Sequence, residues 1–184
     1  MTNFQIIDTP LKGLKIIKRV KVSDNRGYLS RLFCLEELKL AGWKSHVSQI
    51  NHTLTSNKGT IRGMHYQNKP YKEMKFVTCL KGAIFDVAID IRLNSPTFLH
   101  HFSLELDSEK CQGLLIPEGF AHGFQSLTKE TELIYIHSNF YSSIHEGGLN
   151  PLDKKLNINW PYENFLISDK DKNRKFIDTK FKGI

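Results

Sequence analysis

The chain has 184 residues, 40% hydrophobic and 24% charged, with a formal charge of +7. These values describe one soluble globular domain, residues 1–184, with enough chain for a sizeable core. The basic residues are interleaved with acids, as in DKDKNRKFIDTKFK; that pattern argues against a nucleic-acid partner and for a small anionic ligand held by a few Arg and Lys.

The N-terminal stretch MTNFQIIDTPLKGLK lacks the basic start, apolar block and cleavage site of a secretory signal. No apolar run approaches membrane-spanning length. Cys34, Cys79 and Cys111 lie far apart without a CxxC pair. They read as free thiols, so the expected location is a reducing cytoplasm.

Further along, LKIIKRVKV alternates, and Leu14, Ile16, Val20 and Val22 are expected to share one side of a strand. LEELKLAG (35–42) reads as a short helix. KFVTCLKGAIFDVAIDIR reads as two apolar strands around a hairpin-like break at Lys81-Gly82. Strands are expected over 97–105, 111–116 and 131–137, and a second short helix after Ser168. Many short strands at regular spacing, with no repeat or linker, point to an all-β sandwich or barrel with short peripheral helices.

The chemistry centres on GTIRGMHYQNKPYKEMKFV (59–77), where His65 stands among Arg62, Gln67, Glu73 and Lys75. Three roles compete for it: metal ligand, catalytic base, or strand residue with its ring nitrogens satisfied. GTIRGMH and PEGFAH are spaced like the two motifs of the cupin fold, a double-sheet jelly-roll barrel. A metal-binding cupin carries a second histidine two residues after the first and then a glutamate. Here Gln67 takes the second place and Glu73 comes late. A neutral amide is a poor replacement for imidazole, so no metal site is expected.

Other groups recur with His65. DNRG (24–27), SQINHT, IRGMHYQ, KGAIFDVAIDIRLNSPT, LIPEGFAHGF, ELIY and WPYENFLISDKD occur in one order over residues 24–172. In that order they resemble the cupin family of dTDP-4-dehydrorhamnose 3,5-epimerases, with its double-stranded β-helix. The resemblance implies inversion at C3, C5 or both of a nucleoside-diphosphate 4-keto sugar, in deoxysugar and cell-surface polysaccharide synthesis. A proton leaves a carbon next to the C4 ketone and another returns from the opposite face, with no cofactor. Alternatives are the same reaction on a CDP-, GDP- or UDP-linked sugar, a sugar-nucleotide-binding cupin without turnover, and a metal-dependent cupin oxygenase.

The resemblance also implies roles. His65 matches the general base, and neutral imidazole suits proton abstraction near pH 7. Asp171 matches its acidic partner; by itself, SDKD (168–171) equally reads as a helix cap with Asp171 at the third helical position. Lys75 matches the cation that holds the enolate oxygen; alone it reads as a solvated strand lysine. Tyr135 matches the acid on the opposite face; alone it reads as a packed tyrosine with its hydroxyl bonded. Arg26, Gln49, Asn51, Arg62, His122, Glu146 and Lys170 match sugar, phosphate or base contacts, and Tyr141 an aromatic that stacks on the base. Arg26, Arg62 and Lys170 suit a pyrophosphate. Family members are homodimers that exchange N-terminal strands, a part suited to segment 14–22. Leu29 and Arg31 replace the family's usual aromatic and glutamate, and are expected to alter one wall of the pocket and hence the nucleotide or sugar preferred.

Overall fold

A computed structural model of the protein describes residues 3–184. Two β-sheets face each other. One has the order β1 (Phe4–Asp8), β2 (Lys15–Arg19), β10 (Gln112–Ile116), β7 (Lys75–Lys81), β12 (Thr131–His137), β5 (Gln49–Thr55). The other runs β13 (Glu146–Gly148), β6 (Thr60–Gln67), β11 (Phe120–Ser126), β8 (Ala83–Asp90), β9 (His101–Asp107), and β14 (Leu166–Ile167) lies parallel beside β6. This is the expected double-stranded β-helix, and the α-helices among the described residues are α1 (Leu35–Lys39) and α2 (Asp169–Lys172). Among the described residues no helix is long and apolar enough to cross a membrane.

Strand alternation builds three apolar layers. Val77, Cys79, Leu114, Leu133, Ile84, Ala88, Leu106 and Phe124 fill the space between the sheets. Phe76, Leu115 and Ile136 point to the outer side of the first sheet, where Leu38 of α1 and Trp43 cover them. The second sheet's outer side, with Met64, Val87 and Ile89, is covered by the C-terminal segment through Leu156 and Ile177. The α1 helix ends earlier than its apolar pattern suggests, because Gly42 at φ +104° turns the chain and brings Trp43 back onto Leu38.

Two expectations change. The break at Lys81-Gly82 is no hairpin: β7 pairs with β10 and β12, while β8 pairs with β9 and β11 in the facing sheet. Gly82, at φ +76°, lets the chain cross between sheets, and a Cβ there would lie 2.2 Å from the Thr128 hydroxyl. Both strands are apolar because each lies in the middle of its own sheet. In 14–22, Leu14 and Ile16 do meet the inner core, but β2 stops at Arg19. Val20 and Val22 are 45% and 63% exposed, since Val22 belongs to a separate hairpin, β3 (Lys21–Asp24) with β4 (Gly27–Ser30), that pairs with neither large sheet.

The DIRLNSPT motif is a structural staple. The buried Asp90 carboxylate accepts from the guanidinium of Arg92 and the hydroxyls of Ser95 and Thr97. Burial pushes its pKa up, but these four bonds outweigh that and hold it at about 2.

Candidate active site

A cavity of about 600 Å³ opens between the sheets, and His65, Lys75, Tyr135 and Asp171 all line it. Asn51, Arg62, His122 and Lys170 line it too. Strand β6 supplies both Arg62 and His65, although residues three apart on a regular strand face opposite ways. The strand is bulged: Phe124 pairs with Arg62 but His122 pairs with His65, so three steps on β6 oppose two on β11. The extra residue returns His65 to the cavity side and turns Met64 into the outer core. Gly63 makes this possible at φ +136°, since a Cβ there would sit 2.5 Å from Gly123 Cα.

His65 Nε2 lies 2.7 Å from Asp171 Oδ1. The two readings of Asp171 both hold. Ser168 Oγ accepts from the Asp171 N–H at 3.1 Å and caps α2, which leaves the carboxylate free to turn to His65. The Gly63 N–H donates to its other oxygen at 3.4 Å. Burial raises the Asp171 pKa, but the bond to His65, its charge and the Ser168 and Gly63 contacts win and bring it to about 2. Asp171 is thus an acceptor that fixes Nε2 as the N–H nitrogen, and Nδ1 carries the lone pair.

Lys75 is no solvated lysine. Its side chain is 11% exposed, and Nζ lies 3.1 Å from Glu73 Oε1. The other oxygen of Glu73 accepts from His137 Nδ1 at 2.8 Å. Burial pushes the Glu73 carboxyl up, but His137 and Lys75 overcome it and hold the pKa below its ordinary value. Tyr135, on β12 opposite Asn51 and Val77, sits between two imidazoles, edge-on to His122 at 5.9 Å and nearly parallel to His137 at 6.1 Å. Burial and then the Asp86 carboxylate push its phenol pKa up, so it carries its proton at neutral pH. His122 is itself tied to Asp86, at 2.6 Å, both buried. The Gln67 side chain is spent on backbone, donating to Tyr71 O and Phe140 O and accepting from Ser142 N.

Gln49, Tyr141 and Glu146 lie on a smaller cavity of about 240 Å³ that shares His65, Asn51, Lys75, His137 and Lys170 with the larger one. Glu146 accepts from Lys170, Arg174 and Tyr141, each at 2.7 Å. Burial opposes its ionisation, yet Lys170 and Tyr141 outweigh it and set its pKa at about 2. Arg62 is braced against Thr55 Oγ1 and Leu54 O.

Arg26 is not brought to this site. It sits at the tip of the β3–β4 hairpin, ion-paired to Asp24 at 2.5 Å, and lines neither cavity. Leu29, 75% exposed, and Arg31, paired with Glu37 at 2.7 Å, are likewise no wall of this chain's pocket. The hairpin pairs with neither sheet, so strand alternation within it says nothing about the cavity. Sequence reasoning missed Asp86 and His137 as members of the site and weighed Glu73 only as a displaced metal ligand. For His137 a signal existed: two residues after Tyr135 on one strand, it faces the same way.

The sequence model of the dTDP-4-dehydrorhamnose 3,5-epimerase family matches residues 8–179. The chain is 43% identical over 178 residues to the dTDP-4-dehydrorhamnose 3,5-epimerase of Shigella flexneri, covering 96% of this chain and 98% of that one. It superposes on the crystal structure of the enzyme of that name from Elizabethkingia anophelis with a TM-score of 0.91 at 33% identity, over 98% of this chain and 100% of the other. The corresponding values are 0.90, 36%, 94% and 92% for a 3,5-epimerase from Legionella pneumophila solved with dTDP-4-keto-L-rhamnose. A family model spanning residues 8–179 and a relative 43% identical over nearly the whole length of both chains establish that the chain belongs to the dTDP-4-dehydrorhamnose 3,5-epimerase family.

Proposed function

We propose that this epimerase takes a dTDP-linked 4-dehydro-6-deoxyhexose and inverts C3 and C5 with four residues. His65, oriented by Asp171, removes the proton next to the ketone through Nδ1. Lys75, steadied by Glu73, faces the C4 oxygen where charge develops. Tyr135 returns a proton from the other side as a neutral phenol. Arg62, His122, Asn51 and Lys170 hold sugar and phosphates around the larger cavity. Gln49, Tyr141 and Glu146 serve the nucleotide end. The observation that carries this reading is the 2.7 Å His65–Asp171 pair opening on the same cavity as Lys75 and Tyr135. The direct test is proton NMR in deuterium oxide with dTDP-, UDP-, CDP- and GDP-linked sugars, in buffer containing a chelator. The C3 and C5 signals of the dTDP sugar should disappear fastest; a sugar set whose signals all persist would sink the assignment.

Within this reading the enzyme works in the cytoplasm as a homodimer. The β3–β4 hairpin exposes Val22, Tyr28 and Leu29, apolar area that a second copy would remove from water. It would also carry Arg26 toward the partner's cavity, a role Arg26 does not have within its own chain. Sedimentation should give the mass of two chains. A single-chain mass at assay concentrations would refute the dimer.

A further inference from the structure

Besides His65–Asp171 and His122–Asp86, the site holds a third histidine–carboxylate pair, His137 with Glu73, and the imidazole of that pair has no part in the proposed function. His137 donates through Nδ1 to Glu73 Oε2 at 2.8 Å. Its Nε2 faces the Asn51 amide at 3.4 Å, a long contact. An amide N–H on one side and a carboxylate on the other fix one neutral tautomer, in which the Nε2 lone pair is held only by the long Asn51 contact. The ring lies nearly parallel to that of Tyr135, with an interplanar angle of 18° and centroids 6.1 Å apart.

Each inversion leaves Tyr135 as a phenolate. Burial and the Asp86 charge make that phenolate unfavourable, so it needs a proton before the next turnover. Two imidazoles flank it. His122 is occupied at Nε2 by Asp86 and lines only the larger cavity. His137 lines both cavities, so it links the enclosed tyrosine to the side lined by Gln49, Tyr141 and Glu146.

We propose that His137, held by Glu73, is the relay that returns a proton to Tyr135 after each inversion. A proton from solvent water binds His137 Nε2 in place of the long Asn51 contact, and Nε2 passes it through water to the Tyr135 phenolate oxygen. Phenol and neutral imidazole are restored, while Nδ1 keeps its proton on Glu73. The Glu73 carboxylate stabilises the imidazolium that exists between the two transfers, as a triad carboxylate does. The proton that His65 took leaves separately to solvent, so the cycle balances. His137 acts through Tyr135 and does not touch the substrate.

This inference rests on Tyr135 as the acid, and the experiment separates the two. His137→Ala and His137→Gln are assayed with the dTDP sugar in deuterium oxide, with and without added imidazole, beside Tyr135→Phe. The relay predicts that both His137 variants keep deuterium exchange, because His65 is intact. Their net inversion falls on the order of 10²-fold. Imidazole restores inversion in His137→Ala in proportion to its concentration, a rescue that a merely structural histidine would not show. A native inversion rate, loss of exchange together with inversion, or a loss that imidazole leaves unrelieved overturns the relay. If Tyr135→Phe inverts at the native rate, the acid assignment fails and the relay falls with it. If Tyr135→Phe is inactive in inversion while His137→Gln is native, only the relay is lost.

Discussion

Replacing His65 with alanine is expected to abolish solvent deuterium exchange at C3 and C5 and net epimerisation together. Both begin with the same proton abstraction, and the remaining groups are poor substitutes. Lys75 is committed to Glu73 at 3.1 Å, and Asp171 is set back behind the imidazole, 2.7 Å from its Nε2. The loss should be on the order of 10²–10⁴-fold, the range for a positioned general base. Removal of His65 also strands the Asp171 carboxylate, which is 5% exposed, beside Gly63 N–H and Arg174. His65→Gln, which retains a donor toward Asp171, is therefore the companion variant and should lose as much rate with less loss of stability. Exchange that continues at the native rate in a folded His65→Ala protein would remove His65 from the base role.

Tyr135→Phe should separate the two half-reactions that His65→Ala abolishes together. Abstraction and return on the His65 side survive, so deuterium still enters the substrate. Inversion requires a donor on the other side, and it should fall on the order of 10²–10⁴-fold. Tyr135 is well placed for this comparison. Its ring packs against the apolar core between the sheets and beside His122 and His137, and phenylalanine fills the same space without the hydroxyl. Should Tyr135→Phe invert both carbons at the native rate, the proton must come from another group on that wall.

The resemblance to the family was legible because its motifs combine two kinds of constraint. Some of the residues are chemical, such as His65 in IRGMHYQ. Others hold backbone: Asp90 ties down the DIRLNSPT loop, and Gly63 and Gly123 permit the close approach that bulges β6. Both kinds leave marks in the one-dimensional order of residues. Pairings between distant segments leave none. Asp86 with His122 spans 36 positions and Glu73 with His137 spans 64, and nothing local to any of these four residues announces its partner.

The sequence by itself determined an all-β chain, the neighbourhood of His65, and the family to which it belongs, since alternation and motif order are local properties of the polymer. Only the tertiary structure decided that β7 and β8 lie in facing sheets, because a turn at Gly82 reads the same whether the chain reverses or crosses. The fold also decided that Asp171 is both helix cap and imidazole partner. The Ser168 hydroxyl satisfies the backbone, and the bulge in β6 presents His65 to the carboxylate thus left free. It separated Arg26, Leu29 and Arg31 from their own chain's cavity, and it joined Lys75, Glu73, His137 and Tyr135 into one wall. The physical reason is common to all these cases: a side chain's direction follows from its own strand, whereas what it meets depends on how distant strands pair.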